Sequence, residues 1–232
     1  MATPKSLDAG WKQVDRLIDE RKLQEAVTLL DTIVDQARAA GDEAAWAKAL
    51  VRRSQLAAAL GGFETAVEQL KAAAWPGGST PRAAVELYYA HALLDYLSAY
   101  DWEIRQRERV ASGGELDLKV WTAEEIATEA EKTFLAVWSR REALAAIAVG
   151  DFPYLQPNGY PKGVRGTLRD AVSYLFVDRF LGVSTYWSPA EANDVWQLDL
   201  ENLLADAPLS DAGANVVHPL LRAAEVLADL ER

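Results

Sequence analysis

The stretch GDFPYLQPNGYPKGVRGTLRDAVSYLFVD, residues 150–178, decides how the rest of the chain is interpreted. Its first seventeen residues contain three prolines and four glycines, which excludes both a regular helix and a central strand. Apolar residues then recur at helical spacing on two faces: Leu168, Ala171, Val172, Leu175, Phe176 and Phe180, and Tyr174, Val177 and Leu181. The sequence therefore predicts a shaped loop followed by a helix in the middle of a bundle.

Capping residues predict where this helix and an earlier one begin. Thr167 can accept hydrogen bonds from free backbone N–H groups, and Asp170, three residues on, can reach back to complete a capping box. The negative charge of Asp170 also suits the positive end of a helix. Thr122 and Glu125 form a second pair of this kind, which predicts a long helix that continues to Gly150.

Composition limits the classes of protein to which the chain can belong. It has 232 residues, of which 50% are hydrophobic and 25% charged, so it can bury a globular core. The formal net charge of −11, with no basic stripe to offset it, argues against nucleic-acid binding. The chain has no cysteine, which excludes disulfides and thiolate chemistry but identifies no compartment.

No targeting or membrane segment is predicted. The sequence contains no run of eighteen apolar residues, and MATPKSLDAG at the N-terminus lacks the basic and apolar regions of a signal peptide. The expectation is a chain with no membrane span and no export signal of its own, whose localisation stays open.

Residues 1–75 are predicted to form two helical hairpins. The first has apolar stripes from Trp11 to Ile18 and from Leu23 to Ala37, and it ends at Gly41. The second runs from Trp46 to two glycines, then from Phe63 to Ala73. An offset of 40 residues superimposes the pairs Leu23 and Phe63, Ala26 and Ala66, Val27 and Val67, and Leu30 and Leu70, a weak internal repeat.

The second hairpin resembles a known repeat family. The segment LGGFETAVEQLKAA, residues 60–73, is similar to the turn and second helix of a tetratricopeptide repeat, with a glycine turn, an aromatic residue and a small alanine where helices touch. The period differs from that family's repeat of about 34 residues. We therefore describe these hairpins as tetratricopeptide-like.

Residues 76–232 are predicted to form a helical bundle packed on the first part, or one continuous domain with it. Thr80 and Pro81 are interpreted as the cap and first turn of a long helix with four tyrosines, which decays near Arg109. The patch LDLKVW, residues 116–121, alternates like an extended segment. Pro219 opens a last amphipathic helix that reaches Leu230.

The loop NGYPKGVRGT, residues 158–167, is the best functional candidate in the sequence. Lys162 and Arg165 flank glycines just before a helix N-terminus, where anions bind. The residues do not spell a nucleotide-binding loop, because no lysine directly precedes Thr167. The alternative is that the loop packs rigidly over the bundle while Arg165 pairs with a carboxylate.

No catalytic group, metal site or cofactor site is predicted. His91 and His218 are the only histidines and lie far apart in sequence, so neither has the spacing of a metal ligand. His91 falls on the tyrosine-rich helix, where a hydrogen-bonded imidazole is expected. Carboxylate pairs such as Glu124 with Glu125, and Asp206 with Asp211, fall in caps and loops and are interpreted as surface residues.

Several segments together resemble the helical N-terminal region of bacterial alpha-macroglobulin-like proteins. They are GWKQVDRLIDERKLQEAVTLLDTIVDQA (residues 10–37), AVELYYAHALLDYLSAYDWEIRQRERV (84–110), LDLKVWTAEEI (116–126) and LQPNGYPKGVRGTLRDAVSYLFVD (155–178). The last is the most distinctive. The resemblance implies a non-catalytic helical part of an extracytoplasmic protease-inhibitor-like protein, periplasmic or extracellular, that continues beyond Arg232. It supplies no functional residue, and without a cysteine no thioester can be assigned.

The expected function is therefore a scaffold or protein-contact region, with a protein partner or further domains of the same chain. A free-standing adaptor that binds a peptide in the groove of the first hairpins is one alternative. A small helical enzyme with an anionic substrate near Lys162 and Arg165 is the other, and it is disfavoured because no nucleophile, base and orienting group are recognisable together.

Overall fold

The computed structural model describes residues 4–107, 117–155, 164–181, 194–199, 201–202 and 218–231, and helices dominate all of the longer ranges. The α-helices, numbered in chain order, are α1 (Pro4–Asp19), α2 (Leu23–Ala40), α3 (Glu43–Ala59), α4 (Phe63–Ala72), α5 (Ser79–Ala99), α6 (Asp101–Ile104), α7 (Ala123–Trp138), α8 (Arg141–Leu144), α9 (Leu168–Leu181) and α10 (Pro219–Leu230). Short 3-10 turns lie at Val149–Asp151 and Val195–Gln197. The prediction of an all-α chain is confirmed for these residues.

The chain divides into two compact units. Unit 1 comprises Met1–Val137 and Gly150–Gly159, and unit 2 comprises Trp138–Val149 and Tyr160–Arg232. The division does not fall at residue 75, where the sequence suggested a boundary, because α5 packs on both α3 and α4 and so belongs with the first four helices.

Three identical turns organise the first four helices. Arg21, Gly41 and Gly61, twenty residues apart, all adopt left-handed backbone conformations, with φ of 59°, 70° and 84°. In each turn the N–H of the left-handed residue donates to the carbonyl three residues earlier, and the next N–H donates to the carbonyl five residues before it. The first bonds are Arg21 N to Ile18 O, Gly41 N to Arg38 O and Gly61 N to Ala58 O; the second are Lys22 N to Leu17 O, Asp42 N to Ala37 O and Gly62 N to Ala57 O. This is the Schellman motif, which satisfies the last carbonyls of each helix.

Two of the residue pairs that the 40-residue offset aligns have the same burial. Ala26 and Ala66 are buried at matching positions, as are Leu30 and Leu70, each at most 1% exposed. Small alanines let neighbouring helices approach, and the leucines fill the space between them. Val27 departs from the pattern because it is half-buried while Val67 is fully buried.

Helix α5 is buried almost all round, but it begins and ends differently from the prediction. It starts at Ser79, one residue before Thr80, and no side chain caps it. Instead, the carboxylate of Glu43 accepts hydrogen bonds from the N–H groups of Gly77 (3.1 Å) and Gly78 (2.8 Å) just before the helix. The cap is therefore supplied from another helix, which no local pattern could indicate.

The same helix stops at Ala99 instead of continuing toward Arg109. Tyr100 leaves the helical conformation, with φ −117° and ψ 23°, and α6 starts afresh after it. The Tyr100 ring packs near Phe63, with ring centroids 6.5 Å apart, and near Tyr96, at 5.1 Å. No glycine or proline marks this break. The apolar pattern continues past Tyr100, so the sequence predicts one uninterrupted helix.

Residues 117–121, predicted to be extended, form a turn instead. The N–H of Val120 bonds to Asp117 O at 3.1 Å, and the Tyr96 hydroxyl donates to the Leu118 carbonyl at 3.0 Å. The Arg107 guanidinium also donates to carbonyls of this turn. These contacts with α5 and the residues after α6 decide the local conformation.

Helix α7 begins where predicted but is shorter. Thr122 N donates to Glu125 Oε2 (2.8 Å) and Glu125 N donates to Thr122 Oγ1 (3.3 Å), so this capping box is confirmed. The helix ends at Trp138, and the separate short helix α8 follows, so the prediction of one helix to Gly150 was wrong. The change of conformation falls at Arg140, with φ −106° and ψ 12°.

Unit 2 is built on α9. An isolated antiparallel bridge between Ala148 and Thr167 precedes the helix, and the predicted capping box is confirmed because Thr167 N donates to Asp170 Oδ2 (2.9 Å) and Asp170 N to Thr167 Oγ1 (3.1 Å). Phe176 is fully buried and Leu175 half-buried. Helices α8 and α10 pack against α9.

A charged cluster joins these three helices. The Asp229 carboxylate of α10 accepts hydrogen bonds from Arg141 Nη2 of α8 at 2.7 Å and from Arg169 Nη2 of α9 at 2.9 Å. The hydrogen bonds from Arg141, and then those from Arg169, lower the pKa of Asp229 from 3.8 to about 2. The cluster stabilises the ionised carboxylate between two cations.

Candidate functional site

Arg165, one half of the predicted anion site, already contacts the protein itself. Its guanidinium lies 3.7 Å from the centroid of the Tyr174 ring, a cation–π arrangement. The backbone N–H groups of Thr167 and Asp170 at the start of α9 are bonded within the capping box. Lys162 lies outside the described residues, so an anion site formed by Lys162 and Arg165 stays a prediction.

Both histidines have structural partners. His91 Nε2 lies 3.1 Å from Asp95 Oδ2 one turn along α5, and its ring is 6.2 Å from that of Tyr88. His218 is fully buried, and its Nδ1 accepts the Leu220 N–H at 3.0 Å to cap α10. The expectation of a hydrogen-bonded imidazole therefore holds for His91, and His218 is held in a comparable way.

The carboxylate pairs considered as catalytic candidates in the sequence do not form a site among the described residues. Glu125 belongs to the capping box of α7, and Asp206 and Asp211 lie outside the described residues. Within the part of the chain that the structure describes, no group of three His, Cys, Asp or Glu residues could hold a metal ion. None of the described helices combines the length and the apolar character that a membrane span requires.

The most distinctive polar surface lies on α3. Helices α2, α4 and α5 pack around α3, so most of its residues between positions 47 and 57 are buried. Lys48, Arg52 and Gln55 remain half-buried, and their spacing of four and three residues places them on one face. We call these three residues the α3 strip.

A hydrogen-bond relay runs through this strip to a segment far along the chain. Arg52 Nη1 donates to Gln55 Oε1 at 3.3 Å, and Gln55 Nε2 donates to the backbone carbonyl of Tyr154 at 2.6 Å. The bond from Arg52 orients the amide, because a cation can only donate to the amide oxygen and so leaves the NH₂ group to face the carbonyl. Gln55 therefore binds main chain, independently of the side chain that the bound residue carries.

The segment held by Gln55 is a proline-containing turn. Leu155 N donates to Phe152 O at 2.9 Å, with Pro153 at the second position, where proline favours a turn. The Phe152 and Tyr154 rings are 5.9 Å apart, and burial raises the pKa of the Tyr154 hydroxyl. We call residues 151–155 the docked turn; it is part of unit 1.

The α3 strip is basic in a strongly acidic protein. Lys48 Nζ lies 4.1 Å from the centroid of the Trp11 ring of α1. Among the described residues, neither Lys48 nor Arg52 pairs with a carboxylate, whereas Arg53 next to them binds Asp31 Oδ1 at 2.8 Å. Within that part of the chain, two cations thus share one face without local neutralisation, beside an amide that binds a peptide carbonyl.

Sequence reasoning missed this arrangement. The sequence signal was the pattern of α3, where Lys48, Arg52, Arg53 and Gln55 interrupt a run of apolar and small residues. Their connection to Tyr154 spans 99 residues of sequence, and no local motif predicts such a contact.

Compared with known proteins, the chain matches no family model, no curated protein sequence and no solved structure.

Proposed function

We propose that the protein is a helical scaffold that binds a protein partner through unit 1 and performs no catalysis itself. The observation that carries this proposal is the hydrogen bond from Gln55 to the Tyr154 carbonyl. It places a side chain from the face of a helix array on the main chain of a non-helical segment, which is how a helix array can hold a peptide.

The arrangement of α1 to α4 supports a tetratricopeptide-like interpretation of this scaffold. Identical left-handed turns at Arg21, Gly41 and Gly61 recur every twenty residues and make each connection similar. Arrays of this type stack repeated units and present an extended surface to partners. The repeat of two helices is 40 residues here, longer than the tetratricopeptide period of about 34.

We further propose that the chain is the helical N-terminal region of a bacterial alpha-macroglobulin-like protein. Four segments together carry that resemblance, and residues 155–178, with their proline-rich loop and following helix, are the most distinctive of them. A reading frame that continues past Arg232 into domains with short alternating strands would support the proposal. A stop codon directly after Arg232 would contradict it and favour a free-standing adaptor.

Selection from a random peptide library displayed on phage tests the scaffold function. We expect the immobilised full chain to enrich a consistent family of peptides, and we expect an excess of the matching free peptide to compete with them. Failure to enrich any family over an unrelated helical protein would contradict the proposal. Turnover of a small anionic substrate that is lost in Arg165→Gln would instead favour the enzyme alternative.

A further inference from the structure

We propose that the α3 strip is a peptide-binding site for acidic segments that contain an aromatic–proline–aromatic turn, and that the docked turn occupies the Gln55 end of this site in cis. This inference rests on the proposed scaffold function and names its surface and its class of partner. It follows from three observations, namely the relay through Gln55, the positive charge of the strip and the chemistry of the docked turn.

The relay specifies how the main chain is recognised. Arg52 fixes the orientation of the Gln55 amide, and the amide donates to the carbonyl of Tyr154. The same carbonyl exists in any peptide that adopts the turn, so the contact can be reproduced by a separate chain. The half-buried position of Gln55 strengthens the hydrogen bond because water competes less for it.

The charge of the strip specifies what the partner must carry. Lys48 and Arg52 have no carboxylate partner among the described residues, while the chain as a whole has a net charge of −11. A peptide carboxylate would be attracted to these two cations although the rest of the surface repels it. Charge complementarity of this kind favours the correct register and a rapid encounter.

The docked turn leaves part of this complementarity unused. Asp151, directly before the turn, is exposed and forms no ion pair within the described part of unit 1. In cis, Asp151 ends the 3-10 turn at Val149–Asp151, which fixes its position. A free peptide with the same sequence has no such restraint, so its carboxylate can reach Arg52 while its turn binds Gln55.

The test uses the full chain and a fluorescein-labelled peptide with the sequence of residues 150–156, GDFPYLQ. Fluorescence anisotropy measures its Kd for the wild type and for a variant with a loosened turn, Phe152→Ala/Tyr154→Ala. We expect the variant to bind the peptide about tenfold more tightly or better, because the competing segment no longer occupies the site. A peptide with Asn in place of Asp should bind more weakly, and added salt should raise the Kd of the parent peptide.

Two neighbouring arginines provide the matched control. Introduced into the loosened variant, where the docked turn no longer competes through the same contact, Arg52→Ala and Gln55→Ala should each weaken peptide binding by about tenfold or more, the scale of one charge-assisted hydrogen bond. Arg53→Ala should leave binding unchanged, because Arg53 pairs with Asp31 on another side of α3. Equal losses in Arg52→Ala and Arg53→Ala would overturn the proposal.

The proposal remains testable if the loosened variant does not fold. The wild type is then titrated to high peptide concentration, and Lys48→Ala is compared with Arg53→Ala, because Lys48 lies on Trp11 and its removal leaves the Arg52–Gln55 relay intact. Absence of saturable binding to the wild type in that case, or to a folded loosened variant, would overturn the proposal. If library peptides bind but are insensitive to Lys48→Ala, Arg52→Ala and Gln55→Ala, the scaffold function stands and only this surface is wrong.

Discussion

At the scale of single residues, the left-handed positions between the first helices show how the sequence encodes the array. Glycine adopts positive φ without steric cost, whereas a residue with a side chain does so at a cost of about 1 kcal/mol. Gly41 and Gly61 meet this demand, but Arg21 occupies the equivalent position at φ 59°. The three turns therefore have the same geometry with unequal stability.

Substitutions at these positions should change stability in opposite directions. Arg21→Gly should raise the free energy of unfolding by up to about 1 kcal/mol, and Gly41→Ala should lower it by about the same amount. A Cβ at Gly41 would meet no atom within 4 Å, so the loss reports the backbone alone. Urea unfolding followed by circular dichroism measures both, and an unchanged Gly41→Ala variant would contradict the assigned turn.

Helix caps are also decided by single residues, and those made locally could be predicted. Thr122 with Glu125 and Thr167 with Asp170 form the expected boxes because both partners lie within one turn. The Glu43 carboxylate, which accepts hydrogen bonds from the N–H groups before α5, lies far from them in sequence. Its identification required the packing of α3 on α5.

At the scale of helices, apolar periodicity predicted where helices exist better than where they end. The bounds of α2, α4 and α10 follow glycine and proline signals, and they match the structure closely. The breaks at Tyr100 and Arg140 carry no such signal. At Tyr100 the ring packs near Phe63 and Tyr96, and these contacts exist only in the folded chain.

Helix α9 should be the main source of stability in unit 2. Phe176 is fully buried, and truncation of a buried phenylalanine costs about 3–5 kcal/mol. We expect Phe176→Ala to lower the denaturation midpoint strongly, while Leu175→Ala, at a half-buried position, should cost clearly less. A loss below about 1 kcal/mol for Phe176→Ala would place the helix at the periphery.

The ion cluster that joins α8, α9 and α10 predicts a specific acid sensitivity. The pKa of Asp229 is lowered from 3.8 to about 2, so its stabilising contribution is complete above about pH 4 and is lost as the pH falls toward 2. Asp229→Asn should be less stable than the wild type at pH 6, and the difference should shrink between pH 4 and pH 2. Thermal unfolding across this range measures the effect.

A matched control separates this cluster from general acid effects. Asp31→Asn removes an exposed partner of Arg53, for which about 0–1 kcal/mol is expected. The stability of Asp31→Asn should fall with pH in the same way as that of the wild type between pH 4 and pH 2. A wild type and an Asp229→Asn variant whose stabilities differ by the same amount at every pH would contradict the lowered pKa.

At the scale of the whole molecule, the sequence predicted an all-α chain but not its candidate site. The anion loop around Lys162 and Arg165 was favoured because glycines and cations stand next to each other in sequence. The α3 strip and the docked turn were overlooked because Gln55 and Tyr154 come together only when unit 1 folds. Local chemistry is visible in a sequence, whereas a surface assembled from distant segments is not.

Amide hydrogen exchange of the full chain with and without excess GDFPYLQ peptide tests the central claim most directly. If the peptide takes the place of the docked turn, exchange should increase in residues 151–155 of the protein and decrease around the α3 strip. An unlabelled peptide with its residues in scrambled order should change neither. Protection that appears elsewhere, or unchanged exchange in both regions at saturating peptide, would contradict a peptide-binding surface on α3.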